Sequence, residues 1–292
     1  MPANAVEIRG LEKRFPGFTL GPIDLTVPVG SVYGFVGPNG AGKTTTFDLI
    51  FGLGGKDGGS IRVLGLDHAR DEVAVKRQAA YVSAENAYVA WHRVGRAINF
   101  VRGFYPTWDE PYANRLLEMF KLHRGMRLVT LSTGARMKFA LVLALAWRPK
   151  VIVLDEPAAG LDAISKQEVF GELLAAVGEG DRTVLMSSHN LTDVERIADH
   201  VGMIRRGRMV FEGATADVVE RYRMVDVISP AQGALHDQPG IVVQRTEGDR
   251  ARVLLDRRAS SLEQLRSFGA TCVADTPVTL EDLFVALGRE SK

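Results

Sequence analysis

The sequence predicts an α/β fold, a layered parallel sheet running to about Arg223 and followed by a small α+β appendage. Three observations carry that expectation. Val151-Ile152-Val153-Leu154 is an apolar run with no polar interruption, and residues 183–187 repeat the pattern, as expected of parallel strands covered on both faces. Strands of this kind alternate with stretches of helical periodicity, the order that builds layered α/β units. The glycine-rich Gly37-Pro38-Asn39-Gly40-Ala41-Gly42 lies between a short apolar strand, residues 31–36, and a helix beginning near Lys43.

The elements follow in order. Val6, Ile8 and Leu11, then Phe18, Leu20, Ile23, Leu25 and Val27, alternate in the manner of strands, with Gly and Pro as punctuation. The helix from Lys43 carries Phe47, Ile50 and Phe51 on one face, and Ala79-Ala80-Tyr81-Val82 reads as a further strand. Residues 98–122 have a helical pattern broken by Gly103, Pro106 and Pro111. The next helix starts near Thr133, with Met137, Ala140, Leu141 and Ala144 at positions i, i+3, i+4 and i+7. Pro149 stops it, because the residue before a proline is pushed out of the helical region. Val201-Gly202-Met203-Ile204 and Met209-Val210-Phe211 flank Arg205-Arg206-Gly207-Arg208, the pattern of a hairpin with a solvated basic turn. Beyond Arg223, residues 241–243, 251–255 and 271–273 read as strands, and residues 262–268 and 280–287 as helices. The expected division is residues 1–223, with a helical part at about 86–148, and residues 224–292.

Composition narrows the function classes. Over 292 residues, 36 Lys+Arg against 35 Asp+Glu leave a net charge of +1, which argues against a large basic field for nucleic acid. Hydrophobic residues at 46% and charged residues at 24% describe a globular chain rather than a disordered one. The single cysteine, Cys272, excludes an internal disulfide. The opening residues lack the apolar stretch of a signal peptide. The longest apolar run, Phe139 to Trp147, falls far below the ~18 residues that span a bilayer. The chain is therefore expected to be soluble by itself, with any membrane role supplied by a partner. His68, His92, His123, His200 and His236 have no ligand spacing, so a zinc site is not expected.

The chemistry is concentrated in a few segments. Residues 37–44 fit the phosphate-loop pattern with every fixed position filled. Glycines let successive N–H groups turn inward around a triphosphate. Lys43 brings a cation to the β- and γ-phosphates, Thr44 offers a hydroxyl to Mg²⁺, and the helix, with Thr45 in its first turn, adds its positive end. Asp155, at the end of the strand 151–154, can hold Mg²⁺, usually through water, and Glu156 is placed to polarise water attacking the γ-phosphate. An Asp-Glu pair after a strand can also be an ordinary helix N-terminus. Alongside a phosphate loop, the chemical reading is preferred. These residues form a nucleotide site.

From Val6 to Arg223 the chain resembles the ATP-binding cassette (ABC) ATPases. Leu131-Ser132-Thr133-Gly134-Ala135 sits where that family has its signature motif, with Ala135 where Gln is usual. The resemblance implies a P-loop NTPase of the ABC type with a helical signature subdomain. It further implies that Ser132 and Gly134 contact a γ-phosphate, that Gly160-Leu161-Asp162 is the D-loop, and that His189 is the switch histidine. Phe15 corresponds to the aromatic that stacks on adenine. The family's Q-loop glutamine should follow residues 79–82, but Ala84 stands there with Glu85 beside it. Either Glu85 substitutes or water completes the Mg²⁺ shell.

In that family the phosphate loop and the signature motif of one copy are too far apart to share an ATP, so two copies close on two nucleotides. The expected protein is an ATP-hydrolysing subunit that powers a separate transmembrane permease from the inner face of the membrane. It would pair with a second copy of itself or a homologous ATPase subunit. Residues 104–108 and 280–284 resemble an exporter branch linked to antibiotics and small amphiphiles, and the stretch containing Tyr88, Trp91 and His92 would meet the permease. The alternative is a soluble ABC ATPase acting on ribosomes or DNA. Such proteins usually carry two cassettes or a long coiled coil, whereas this sequence has one cassette and no sustained heptads.

Overall fold

The computed structural model describes residues 3–83, 88–178, 182–228, 235–236 and 238–288. The chain opens with β1 (Asn4–Phe15) and β2 (Phe18–Pro28), then β3 (Val32–Val36) and α1 (Lys43–Ile50). β4 (Gly58–Val63), β5 (Leu66–Asp67), α2 (Glu72–Lys76) and β6 (Ala79–Val82) follow. A helical section holds α3 (Val94–Arg102), α4 (Glu110–Met119) and α5 (Thr133–Leu145). The layered part resumes with β7 (Val151–Leu154), α6 (Ala163–Gly178), β8 (Thr183–Ser188), α7 (Leu191–Ile197), β9 (His200–Arg205), β10 (Arg208–Ala214) and α8 (Thr215–Arg221). The last section is β11 (Tyr222–Ile228), β12 (Ile241–Glu247), β13 (Arg250–Asp256), α9 (Leu262–Ser267), β14 (Thr271–Pro277) and α10 (Leu280–Gly288).

These strands make a six-stranded sheet in the order β10-β9-β3-β8-β7-β6, flanked by four-stranded sheets β2-β1-β4-β5 and β12-β13-β11-β14. In the six-stranded sheet, β9, β3, β8, β7 and β6 run parallel, and β10 closes one edge antiparallel to β9. Strand β3 is buried along its whole length, and its side chains alternate between two cores. Tyr33 and Phe35 join Phe47, Val153 and Leu185 under the β1–β2 sheet, while Val32 and Val36 face the helical side with Leu154 and Met186. The jump from Ile8 to Leu11 in the apolar pattern of β1 coincides with a register shift against β2.

Local chemistry explains where the helices differ from the sequence reading. Pro111 does not break the helix. It sits in the first turn of α4, where its missing N–H is not needed, and Asp109 caps that turn by accepting from Tyr112 N at 2.9 Å. Helix α5 stops at Leu145, ahead of Pro149, and Arg148 adopts a left-handed φ of 57°. Helices α6, α7 and α8, and strand β11, come from segments to which the sequence reading gave no element.

A polar cluster around the buried Glu172 ties α4 to α6. The Tyr112 hydroxyl donates to Glu172 Oε1 at 2.6 Å, and Arg115 Nη2 donates to the same oxygen at 2.7 Å. The Arg115 and Arg148 guanidinium carbons lie 4.9 and 4.6 Å from the Tyr112 ring centroid. Burial, and then the hydrogen bond to Glu172, push the Tyr112 phenol well above its ordinary pKa, so it stays a donor. Glu172 is only 5% exposed. Tyr112→Phe is expected to lower stability by about 1–3 kcal/mol, because a buried carboxylate loses a donor. The denaturant midpoint should fall at unchanged m-value, and an unmoved midpoint would mean that water replaces the phenol.

Candidate functional site

The phosphate loop leaves the end of β3 and enters α1. Gly40 and Gly42 take φ values of 76° and 110°, a region that favours glycine. Side chains are also excluded by space. A Cβ at Gly37 would come 2.3 Å from the Ile204 carbonyl oxygen, and one at Gly42 would come 2.5 Å from Leu20 Cδ1. No side chain caps α1 at Gly42, so the N–H groups of its first turn are left for a ligand. Lys43 folds back over the loop: Nζ donates to the Gly37 carbonyl at 2.7 Å and lies 3.5 Å from Glu156 Oε1.

The ends of β7 and β8 supply the acids. Their parallel register pairs Leu154 with Met186, which puts the residues that follow side by side. Thr44 Oγ1 donates to Asp155 Oδ2 at 2.6 Å, and Ser187 Oγ donates to Asp155 Oδ1. Ser187 Oγ in turn accepts from Glu156 N at 2.9 Å. Glu156 holds a φ of 53°, rare for a side-chain-bearing residue and often found at functional turns. Its carboxylate lies between two partners, Lys43 on Oε1 and His189 Nδ1 at 2.8 Å from Oε2. A cavity of about 390 Å³ opens over this arrangement, lined by residues 38–45, Asp155, Glu156, Phe15 and Phe18. At its edge Phe15 is 43% exposed, with its ring centroid 6.3 Å from that of Phe18. An open apolar face beside a polar floor that carries Lys43 and the first-turn N–H groups of α1 suits a flat base with a phosphate tail.

Thr44 and Asp155 present only oxygen, and among the described residues no group of three or more His, Cys, Asp or Glu gathers to enclose a metal. That donor set fits a hard, partly hydrated Mg²⁺ that also takes oxygens from phosphate, rather than a cage for a softer metal.

The family described as "ABC transporter" matches residues 20–159. Nod factor export ATP-binding protein I of Burkholderia lata is 30% identical over 310 residues, covering 99% of this chain and 99% of that protein. The chain belongs to the ABC transporter ATP-binding proteins. Among its other relatives, YtrB of Bacillus subtilis is 28% identical over 96% of this chain and 97% of that one. The daunorubicin/doxorubicin resistance ATP-binding protein DrrA of Streptomyces peucetius is 31% identical over 84% and 78%. The fold matches a solved ATP-binding subunit of an ABC transporter with a TM-score of 0.65 and 24% identity, over 74% of this chain and 92% of that one. An ATP-bound Atm1-family exporter superposes with a TM-score of 0.67 at 19% identity, over 76% and 40%. As an ABC ATP-binding subunit, the chain binds and hydrolyses ATP in the service of membrane transport. No helix among the described residues is long and apolar enough to cross a membrane itself.

The remaining expected site residues of this ABC subunit fall in two other places. Ser132 caps α5 by accepting from Ala135 N at 3.2 Å, and a Cβ at Gly134 would come 2.8 Å from Leu161 Cδ2, so the turn at residues 132–134 packs on the stretch around Leu161. Neither Ser132 nor Gly134 lines the phosphate-loop cavity. Asp162 caps α6, accepting from Ser165 N at 2.9 Å and Ser165 Oγ at 2.8 Å, and these hydrogen bonds hold its carboxyl below the usual range. Glu85 and the Ala84 beside it lie outside the described residues. Phe18 and Ser187 are the site residues that the sequence reading missed. The signal for Phe18 is its place across the Pro16-Gly17 turn from Phe15, with which it pairs. For Ser187 there is no local signal, because its role exists only once β7 and β8 are neighbours.

Proposed function

We propose that two copies of this chain, or one copy and a homologous subunit, close on two ATP molecules and thereby drive an exporter whose pore is a separate polypeptide. The observation that carries this reading is the split site: the phosphate loop, Asp155 and Glu156 line one cavity, with His189 on the Glu156 carboxylate, while Ser132 and Gly134 lie elsewhere in the same chain. A γ-phosphate bound at Lys43 would then meet the signature turn of the partner copy. The N–H groups at the start of α5 suit that contact.

In this reading residues 37–45 wrap the phosphates and Phe15, backed by Phe18, receives the base. Mg²⁺, held by Thr44 and Asp155, neutralises phosphate charge when bound. Glu156 accepts a proton from the attacking water, and His189 holds the Glu156 carboxylate in place. Closure is the ATP-loaded state, and loss of the terminal phosphate releases the two copies. Residues 1–223 act as the cassette, with the helical part at about 86–148, and residues 224–292 as an appended unit. Export rests on the relatives, one of them named for Nod factor export and another for daunorubicin/doxorubicin resistance. In this reading the permease meets the surface where the Trp91, Phe100 and Phe104 rings lie in sequence, with centroids 5.0 and 5.1 Å apart, and the subunit works at the inner membrane face.

The test uses the absence of other cysteines. In a Cys272→Ser background, a chain carrying Asn39→Cys and Ser132→Cys should form a disulfide-linked dimer with ATP and remain monomeric without it. Monomer under both conditions overturns the paired arrangement. Bound ribosomal RNA or DNA, in place of a multi-span membrane protein in the membrane fraction, overturns the transport role.

A further inference from the structure

The section after β10 does not stand apart from the switch. Helix α10 packs on α7, and Leu280, Leu283 and Ala286 are buried in the same core as Leu191 and Val194 of α7. Leu283 is fully buried. Polar contacts hold α10 to α7 and to the end of β9. The N–H of Leu280, the first residue of α10, donates to Glu195 Oε2 on α7 at 3.2 Å, and Arg205 Nη1 donates to the Leu287 carbonyl at 3.0 Å. Thr279 and Asp282 cap α10 reciprocally, so the helix presents a defined end to α7.

Helix α7 spans seven residues and cannot hold itself in position. Its place is set by what packs on it. Val194 lies against Gly34 of β3 so closely that a Cβ there would come 2.2 Å from Val194 Cγ1. Lys166 of α6 pairs with Asp193 at 2.6 Å. The third support is α10. One residue before the helix, Asn190 caps it by accepting from Asp193 N at 3.1 Å, and His189 precedes Asn190 directly. A shift of α7 therefore moves His189, whose ring and backbone N–H both point at Glu156 Oε2.

We infer that the C-terminal helix braces the switch helix, and that Glu195 is a positioning residue that sets His189 against Glu156 through α7. The inference rests on the role proposed above for His189. It assigns residues 280–288 an effect on turnover rather than on nucleotide affinity, because neither α10 nor Glu195 reaches the phosphate-loop cavity.

The experiment compares Glu195→Ala with Glu195→Gln in the full chain. Glu195→Ala removes the acceptor, and kcat for ATP hydrolysis should fall roughly threefold to tenfold, as for loss of one hydrogen bond, with KM for ATP unchanged. Gln keeps an acceptor oxygen and should restore the parent rate. The second readout is the His189 ring resonance in histidine-labelled protein, assigned by its disappearance in His189→Ala. It should move in Glu195→Ala and return in Glu195→Gln. A His189 resonance unmoved in Glu195→Ala overturns the brace, and so does a parent kcat in that variant when His189→Ala loses turnover. A parent rate for His189→Ala, with the resonance still responding to Glu195→Ala, overturns the role of the histidine instead.

Discussion

Glu156→Gln should bind ATP with close to parent affinity and lose turnover by about 10²- to 10⁴-fold, the range that general base catalysis contributes. The substitution keeps the shape of the side chain and one acceptor oxygen. The backbone N–H of residue 156 still donates to Ser187 Oγ, and the left-handed turn that aims the side chain stays in place. What disappears is the carboxylate proposed to take the proton from water. The Lys43 ammonium, 3.5 Å from that carboxylate in the wild-type chain, also loses a competitor for phosphate, so affinity has no reason to fall. Steady-state ATPase measurements combined with size-exclusion chromatography in ATP and Mg²⁺ check both halves: slow turnover, and accumulation of a dimer that no longer opens. A variant hydrolysing at the parent rate removes Glu156 from the role assigned to it.

Residues that must be contiguous to do their chemistry were the legible ones. Backbone N–H groups from adjacent positions have to converge on a phosphate, so residues 37–44 carry the whole instruction locally. Asp155 and Glu156 directly follow the C-terminal end of an apolar strand, and that position together with their charge is enough. Ser187 is illegible for the opposite reason. A serine ending an apolar strand has no distinguishing context until β8 lies beside β7 and brings its hydroxyl to Asp155. The signature turn could be recognised, but its separation from the cavity could not be read from spacing alone, because α5 starts beside Leu161 rather than beside Lys43. Strand β11 escaped because both its faces are covered: Met224 enters the helical-side core while Val225 and Val227 enter the core under α9. Neither an alternating nor a helical pattern survives such two-sided burial over so short a run. Helix α6 was different. Val169, Phe170, Leu173 and Ala176 are buried along one stripe, and Asp162 gives the cap, so its signal was present in the sequence.

Lys43→Ala should differ from Glu156→Gln in kind as well as in size. Lys43 is 6% exposed, and its ammonium is satisfied by the Gly37 carbonyl and the Glu156 carboxylate. This holds the charge at the floor of the loop before any nucleotide arrives. Preorganised donors of this kind stabilise developing phosphate charge without reorganising at the moment of reaction, and losing one such donor typically costs about 2.7–4 kcal/mol, a factor of about 10² to 10³. Because the ammonium meets the phosphates in the ground state as well as the transition state, affinity should drop together with turnover. Arg is no remedy: a planar guanidinium needs more room than this enclosed position offers, and its fork does not reproduce the point contacts of the ammonium with the Gly37 and Pro38 carbonyls. Isothermal titration with ATP separates the two variants cleanly, weak binding for Lys43→Ala and near-parent binding for Glu156→Gln. If Lys43→Ala binds ATP as the parent does, the cavity over residues 38–45 is not where the triphosphate sits.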